Sequence, residues 1–313
     1  MSSHLINEAT AGVYIISATP FDAQGRVDKA SMDALVDFYI EAGVDGMTIL
    51  GILGEATKLT SEERLGLMTQ VLKRVDGRKK IIVGASDPGT DNLVHFAKEA
   101  MDKGAAGVMI APIQGLKTDA QVYGYWAHVL KQLGPDIPVC YQDYPQTTMV
   151  STSMSVLFQL IEAFPNLVML KHEEGSGLNK ITQLRDGSAQ KGLRRISVLV
   201  GNGGLYLPQE LRRGADGAMT GFAYPEMLVE VCAKFRAGQA DAAEDLFDLY
   251  LPVLRHEQQL GFGLAIRKEI LRRRGIIASA HVRHPGPSLT NADHLELDNL
   301  LARLQQRLKN RVG

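Results

Sequence analysis

Short apolar runs alternate with longer stretches in which apolar residues recur every three or four positions, and the alternation repeats along most of the chain. The runs have the length of strands and fall at 13–18, 46–50, 80–84, 107–111, 138–142, 167–171, 197–201 and 217–220. Between them, segments such as SEERLGLMTQVLKRV and NLVHFAKEAMDKG carry helical spacing. Eight strand-then-helix units predict an α/β protein whose parallel strands close into a TIM (β/α)8 barrel. A weak internal repeat agrees: EAGVDGMTIL, DKGAAGVMIA and RRGADGAMTG each leave a helix on one glycine and enter a strand after a second. The first glycine suits a left-handed helix cap, the second a tight entry into the barrel. A doubly wound sheet would carry a glycine-rich phosphate turn after its first strand. Here that turn reads SATPFDAQG.

From about residue 225 the pattern becomes helical alone, in EMLVEVCAKFRAG, DAAEDLFDLYLPVLRHEQQ, FGLAIRKEILRRRG and HLELDNLLARLQQRL. The expected organisation is a catalytic barrel over residues 1–225 and a helical segment over 226–313 packed on it. Arg272, Arg273 and Arg274 fall where cations suit a helix C-terminus. HVRHPGPSLT precedes the last helix; its His281 and His284 have no carboxylate or thiol nearby in sequence, so no metal is expected.

Composition narrows the partners. The 313 residues carry 34 Lys+Arg against 35 Asp+Glu, a net charge of -1, so no overall field favours nucleic acid or an anionic membrane. Two cysteines make no disulfide framework, the N-terminal MSSHLINEATAG lacks the pattern of a secretory signal, and no apolar run approaches membrane length. A cytoplasmic protein acting on a small molecule is expected, with no cofactor.

Barrel sites lie at the C-terminal strand ends, which directs attention to NLVMLKHEEGSG. Its apolar strand runs into Lys171, an ammonium where charge is costly. Desolvation there would lower the amine pKa and leave a neutral fraction able to attack a carbonyl, which is Schiff-base chemistry. The alternative is a lysine paired with Glu173 or Glu174, or reaching out to solvent. Strict alternation puts Lys171, Met169 and Leu167 on one face and Tyr141 with Val139 on one face of the preceding strand, so Lys171 and Tyr141 are expected to share a pocket. Tyr141 equally suits packing with its hydroxyl satisfied. The turn Gly51, Ile52, Leu53, Gly54 can offer backbone N–H groups to a carboxylate, or is an ordinary glycine turn. Gly201 opens a second glycine loop, GNGG, which suits phosphate or leaves room for substrate, and Met219 closes the eighth strand.

Together these stretches resemble the dihydrodipicolinate synthase and N-acetylneuraminate lyase family from Gly12 to about Gly275. GVYIISATPFDAQGRVD looks like the family's opening strand with its Thr-Pro-Phe turn, GILGE stands where the family has Gly-Thr/Ser-Thr-Gly-Glu, YQDYP where it has Tyr-Asn-x-Pro, and LK where its Schiff-base lysine ends the sixth strand. The resemblance implies class I aldolase chemistry on pyruvate or a larger 2-oxo acid. Lys171 would form the imine, Tyr141 would relay protons, the backbone of Ile52 and Leu53 would hold the carboxylate, and Gly201 and Met219 would line the substrate site. It also implies a homodimer or homotetramer. Ile52 and Leu53 replace the family's two hydroxyl residues, Ile113 and Gln114 stand where synthases have two tyrosines, and Thr147 falls near the synthase arginine that grips a second carboxylate. Arg283, from the C-terminal segment, is the candidate to supply that grip in its place. Asp143 and Glu173 are left as acid and base, or as structural hydrogen-bonding partners.

The leading expectation is a lyase with a Lys171 imine, carbon–carbon cleavage or condensation ranking ahead of dehydration. Dihydrodipicolinate synthase proper, a 2-oxo acid dehydratase or hydratase, a non-catalytic 2-oxo acid sensor and a phosphate-binding barrel enzyme stand as alternatives.

Overall fold

The computed structural model describes residues 4–175 and 177–312. Eight parallel strands close in chain order: β1 (Gly12–Ile16), β2 (Gly46–Ile49), β3 (Lys80–Gly84), β4 (Gly107–Ile110), β5 (Val139–Asp143), β6 (Leu167–His172), β7 (Ser197–Val200) and β8 (Gly217–Ala218), which pairs back onto β1. The helices α1 (Lys29–Glu41), α2 (Ser61–Val75), α3 (Thr90–Asp102), α4 (Asp119–Leu133), the single turn α5 (Pro145–Thr148), α6 (Met154–Ala163), α7 (Leu178–Gln190) and α8 (Leu207–Arg212) follow the successive strands. The expected barrel is therefore present. α9 (Pro225–Arg236) packs on β1 and β8 and completes the outer ring, so a boundary at 225/226 would cut β8 from its own helix. The helices beyond the ring are α10 (Ala240–Glu257), α11 (Gly263–Arg273) and α12 (Asn291–Val312). Among the described residues, no helix is long and apolar enough to cross a membrane.

The repeated glycine pairs explain three strand entries. Gly43, Gly104 and Gly214 take the left-handed backbone at φ 82, 95 and 91. In the second set, a Cβ on Gly46 would lie 2.3 Å from the Tyr14 ring, one on Gly107 2.6 Å from Ile6, and one on Gly217 1.9 Å from the Gly12 carbonyl oxygen. Side chains are excluded there because the barrel floor is already filled.

Period-2 alternation divides each strand. Tyr14, Ile16, Ile82, Met109, Cys140, Met169, Leu199 and Met219 fill the barrel interior, while Val13, Ile15, Met47, Ile49, Val83, Val108, Val139, Tyr141, Leu167, Leu170 and Val198 face the helices. One irregularity shifts the count. Val139 pairs with Leu167 but Cys140 pairs with Met169, so Val168 is an extra residue in β6. Leu167 therefore faces outward while Met169 faces inward, which corrects the expectation that they share a face.

Candidate active site

At the C-terminal end of the barrel, β5 and β6 run in register, with Gln142 beside Lys171 and Asp143 beside His172. Lys171, inward like Met169, is buried, and its Nζ lies 2.8 Å from Glu173 Oε2. Gln142 Nε2 donates to the same carboxylate oxygen at 2.7 Å. The result is a buried row of amide, carboxylate and ammonium. The predicted pairing of Lys171 with Glu173 is thus present, and Glu174 takes another partner, Lys180.

Glu173 is held along its backbone as well. Its N–H donates to the Asp143 carbonyl at 2.9 Å, and its carbonyl accepts from Asn202 Nδ2 at 3.0 Å. Gly201 provides the space for its side chain: a Cβ there would lie 2.1 Å from Glu173 Cγ. The next glycine, Gly203, abuts Gln258 at the C-terminal end of α10. The room in the GNGG loop is thus occupied by two side chains of this protein.

Tyr141 is elsewhere. Its ring packs against Trp126 of α4 with centroids 4.0 Å apart, and its hydroxyl bonds to Thr152 in the layer between barrel and helices. Burial above all pushes its phenol above the ordinary range. The pocket expected to hold both Tyr141 and Lys171 does not form, because Tyr141 points outward and its inward neighbour Gln142 stands next to Lys171. Counting back three positions from Pro145, as in Tyr-Asn-x-Pro, also reaches Gln142. That extra residue in YQDYP was the available signal.

Asp143 points outward like Tyr141. Its carboxylate lies 2.7 Å from Lys180 Nζ and 3.8 Å from His172 Nδ1. Burial alone would raise its pKa, but the His172 and Lys180 contacts outweigh burial and hold it below the ordinary carboxylate range. It is a partner of α7, on the opposite side of the strand from Lys171.

The loop after β2 sits over the barrel. Gly51 lies above Ile16 and Met109, with a Cβ there 3.3 Å from Met109 Cε, and Leu53 packs on the interior cluster. Ile52–Gly54 forms one 3₁₀ turn with no side-chain cap on Gly51. Leu50 and Glu55, at its two ends, both take left-handed backbone at φ 56 and 54, and Asn202 does so at φ 50. Such strain at non-glycine positions is retained only where surrounding contacts enforce it. Thr19 hydroxyl donates to the Gly54 carbonyl at 2.6 Å, and Glu55 accepts from Lys58 at 2.9 Å and from Lys268 of α11 at 2.5 Å. Met219 is buried in the interior beside Cys140.

Thr147 lies on exposed α5, where its carbonyl accepts weakly from Gln114 at 3.4 Å. Arg283 is committed away from Lys171. Its guanidinium pairs with Glu63 at 2.7 Å and donates to the Gly25 and Lys58 carbonyls. Among the described residues, no three His, Cys, Asp or Glu side chains gather as a metal site requires; His281 contributes a backbone carbonyl to Lys268 at 2.9 Å.

Comparison with known proteins agrees with this architecture. The sequence profile of the dihydrodipicolinate synthetase family matches residues 9–304. An L-2-keto-3-deoxyarabonate dehydratase of Azospirillum brasilense is 31% identical over 299 residues, covering 94% of each chain. A 4-hydroxy-tetrahydrodipicolinate synthase of Pseudomonas putida is 27% identical over 78% of this chain and 81% of its own. The crystal structure of a dihydrodipicolinate synthase from Rhodopseudomonas palustris superposes with a TM-score of 0.93 at 45% identity, covering 96% of this chain and 99% of that one.

Proposed function

The chain belongs to the dihydrodipicolinate synthetase family, and on that premise we propose that this lyase dehydrates a 4-hydroxy-2-oxo acid through an imine on Lys171. The observation that carries the reading is the Glu173 carboxylate, 2.8 Å from Lys171 Nζ and oriented by Gln142. Once the amine has condensed with the C2 carbonyl and released water, the iminium makes the C3 protons acidic. C3 is one bond from the iminium carbon, within the space beside Nζ that Glu173 faces. Glu173 takes a C3 proton to give the enamine. The enamine expels the C4 hydroxyl, which leaves as water with a proton returned by the same carboxyl group. Hydrolysis then frees Lys171 and an unsaturated 2-oxo acid, with a net loss of one water.

Carbon–carbon cleavage needs a base at the C4 hydroxyl, the place a tyrosine relay would serve, and Gln142 stands there with an amide in its stead. The substrate carboxylate is assigned to the N–H groups of Ile52 and Leu53, since the first turn of a helix leaves such groups without partners inside it. The dehydratase relative supports the same reading. A second reading, synthesis from pyruvate and aspartate semialdehyde, draws on the Rhodopseudomonas structure. The test is mass-resolved turnover of a panel of 4-hydroxy-2-oxo acids beside pyruvate with aspartate semialdehyde, each also trapped with borohydride. The expected outcome is an adduct on Lys171 and a product lighter by one water. Pyruvate plus an aldehyde as products, or the semialdehyde as the best substrate, would reject dehydration, and the lack of any Lys171 adduct would reject the imine.

A further inference from the structure

Two glutamates follow one another after β6, and two buried lysines divide them. Lys171 takes Glu173 at 2.8 Å; Lys180, in the first turn of α7, takes Glu174 at 2.7 Å and Asp143 at 2.7 Å. We propose that Lys180 is a positioning residue that draws Glu174 and Asp143 to the helix side of β6 and so leaves Glu173 alone at the Lys171 amine. This rests on the reading of Glu173 as the proton carrier given above.

The argument runs through the short link between β6 and α7. Gln142 and Lys171 form the inward pair of strand neighbours, Asp143 and His172 the outward pair. The inward pair meets the Glu173 side chain. The outward pair meets Lys180 and the loop: His172 Nε2 lies 3.0 Å from the Gly177 carbonyl oxygen, and its ring is so close to Gly177 that a Cβ there would sit 2.1 Å from Nε2. The Asp143 backbone carbonyl also receives the Glu173 N–H at 2.9 Å. One residue, Asp143, therefore touches Glu173 through its main chain and Lys180 through its side chain. Without the Lys180 ammonium, Asp143 would keep a buried charge facing only His172, and the Glu174 carboxylate would lose its buried cation and become free to compete for Lys171. Either change moves the carboxylate that the chemistry needs within a fraction of an ångström, and misplacement of about 1 Å is worth about 100-fold in rate.

The test is a double-mutant cycle of Lys180→Met and Glu173→Gln, read as kcat, KM and the yield of borohydride adduct on Lys171 with pyruvate. The expected result is an adduct in every variant, kcat lowered by about 10- to 100-fold in Lys180→Met with KM changed by less than about threefold, and little further loss when Lys180→Met is added to Glu173→Gln. Lys180→Arg should recover most of the loss. Losses that multiply in the double variant, or unchanged kcat in Lys180→Met, overturn the proposal while leaving the imine reading intact. An unmodified Lys171 in the wild-type chain overturns both. If Lys180→Met does not fold, Lys180→Gln carries the same cycle and is judged by the same outcomes.

Discussion

A single carboxylate separates the chemistry proposed here from the chemistry of a tyrosine relay. Glu173→Gln keeps the shape of the side chain and a hydrogen-bonding atom toward Gln142 and Lys171, but cannot carry a proton. Its expected effect is a loss of turnover of about 10²- to 10⁴-fold, the usual size for a positioned acid–base group, with the Lys171 adduct still formed. Tyr141→Phe is the companion experiment. The hydroxyl it removes bonds to Thr152 on the helix side of β5, so turnover should stay within about threefold while stability falls by roughly 1 to 3 kcal/mol from the unsatisfied Thr152 hydroxyl. Steady-state kinetics and urea unfolding on the two variants decide it. A large kinetic effect at Tyr141 with an intact Glu173→Gln enzyme would return the relay to the tyrosine.

At the scale of strands and loops, the glycine loop after β7 is shaped around that carboxylate. Gly201 has φ -102, so its lack of a side chain answers to crowding by Glu173 and not to backbone conformation. Gly201→Ala should lower turnover by about 100-fold through displaced Glu173, cost roughly 1 to 3 kcal/mol of stability from overpacking, and have no further kinetic effect in a Glu173→Ala background; additive kinetic losses would place the cause elsewhere. The same elements show what could be read from the sequence. Apolar runs located every strand to within a few residues, and the paired glycines marked entries where Tyr14, Ile6 and the Gly12 backbone leave no room. Lys171 was legible because a charge ending an apolar strand is conspicuous. The facing of its neighbours was not, because the extra residue at Val168 leaves no trace in a period-2 count and one position is enough to reverse every side chain. Lys180 could not be found at all, since a lysine in the first turn of an amphipathic helix looks like any solvated one. Its role comes from the ion pairs it makes with Asp143 at the end of β5 and Glu174 just after β6.

Over the whole molecule, the C-terminal helices clasp the barrel mouth. Lys268 bonds Glu55 in the β2 loop, Arg267 pairs with Glu257 beneath Gly221, and Gln258 rests on Gly203. Burial lowers the Lys268 pKa to about 8 from 10.5, with Glu55 opposing the shift. Between those two values the unfolded chain binds more protons at this site than the folded one, so the contribution of Lys268 to stability rises with pH, by up to about 3 kcal/mol over the window. The stability gap between the wild type and Lys268→Met should therefore widen in the wild type's favour from pH 8 toward pH 10, as read by denaturant unfolding at each pH; a constant or narrowing gap would contradict the lowered value. The clasp also orders events in time. Glu55 and Lys268 are 213 positions apart, so a chain emerging from its N-terminus has all eight strands available before the residue that steadies the β2 loop exists. During synthesis Lys171 is therefore in place while the loop that carries Ile52 and Leu53 still lacks its C-terminal brace, and on the imine reading proposed above a half-made chain is a poor target for 2-oxo acids.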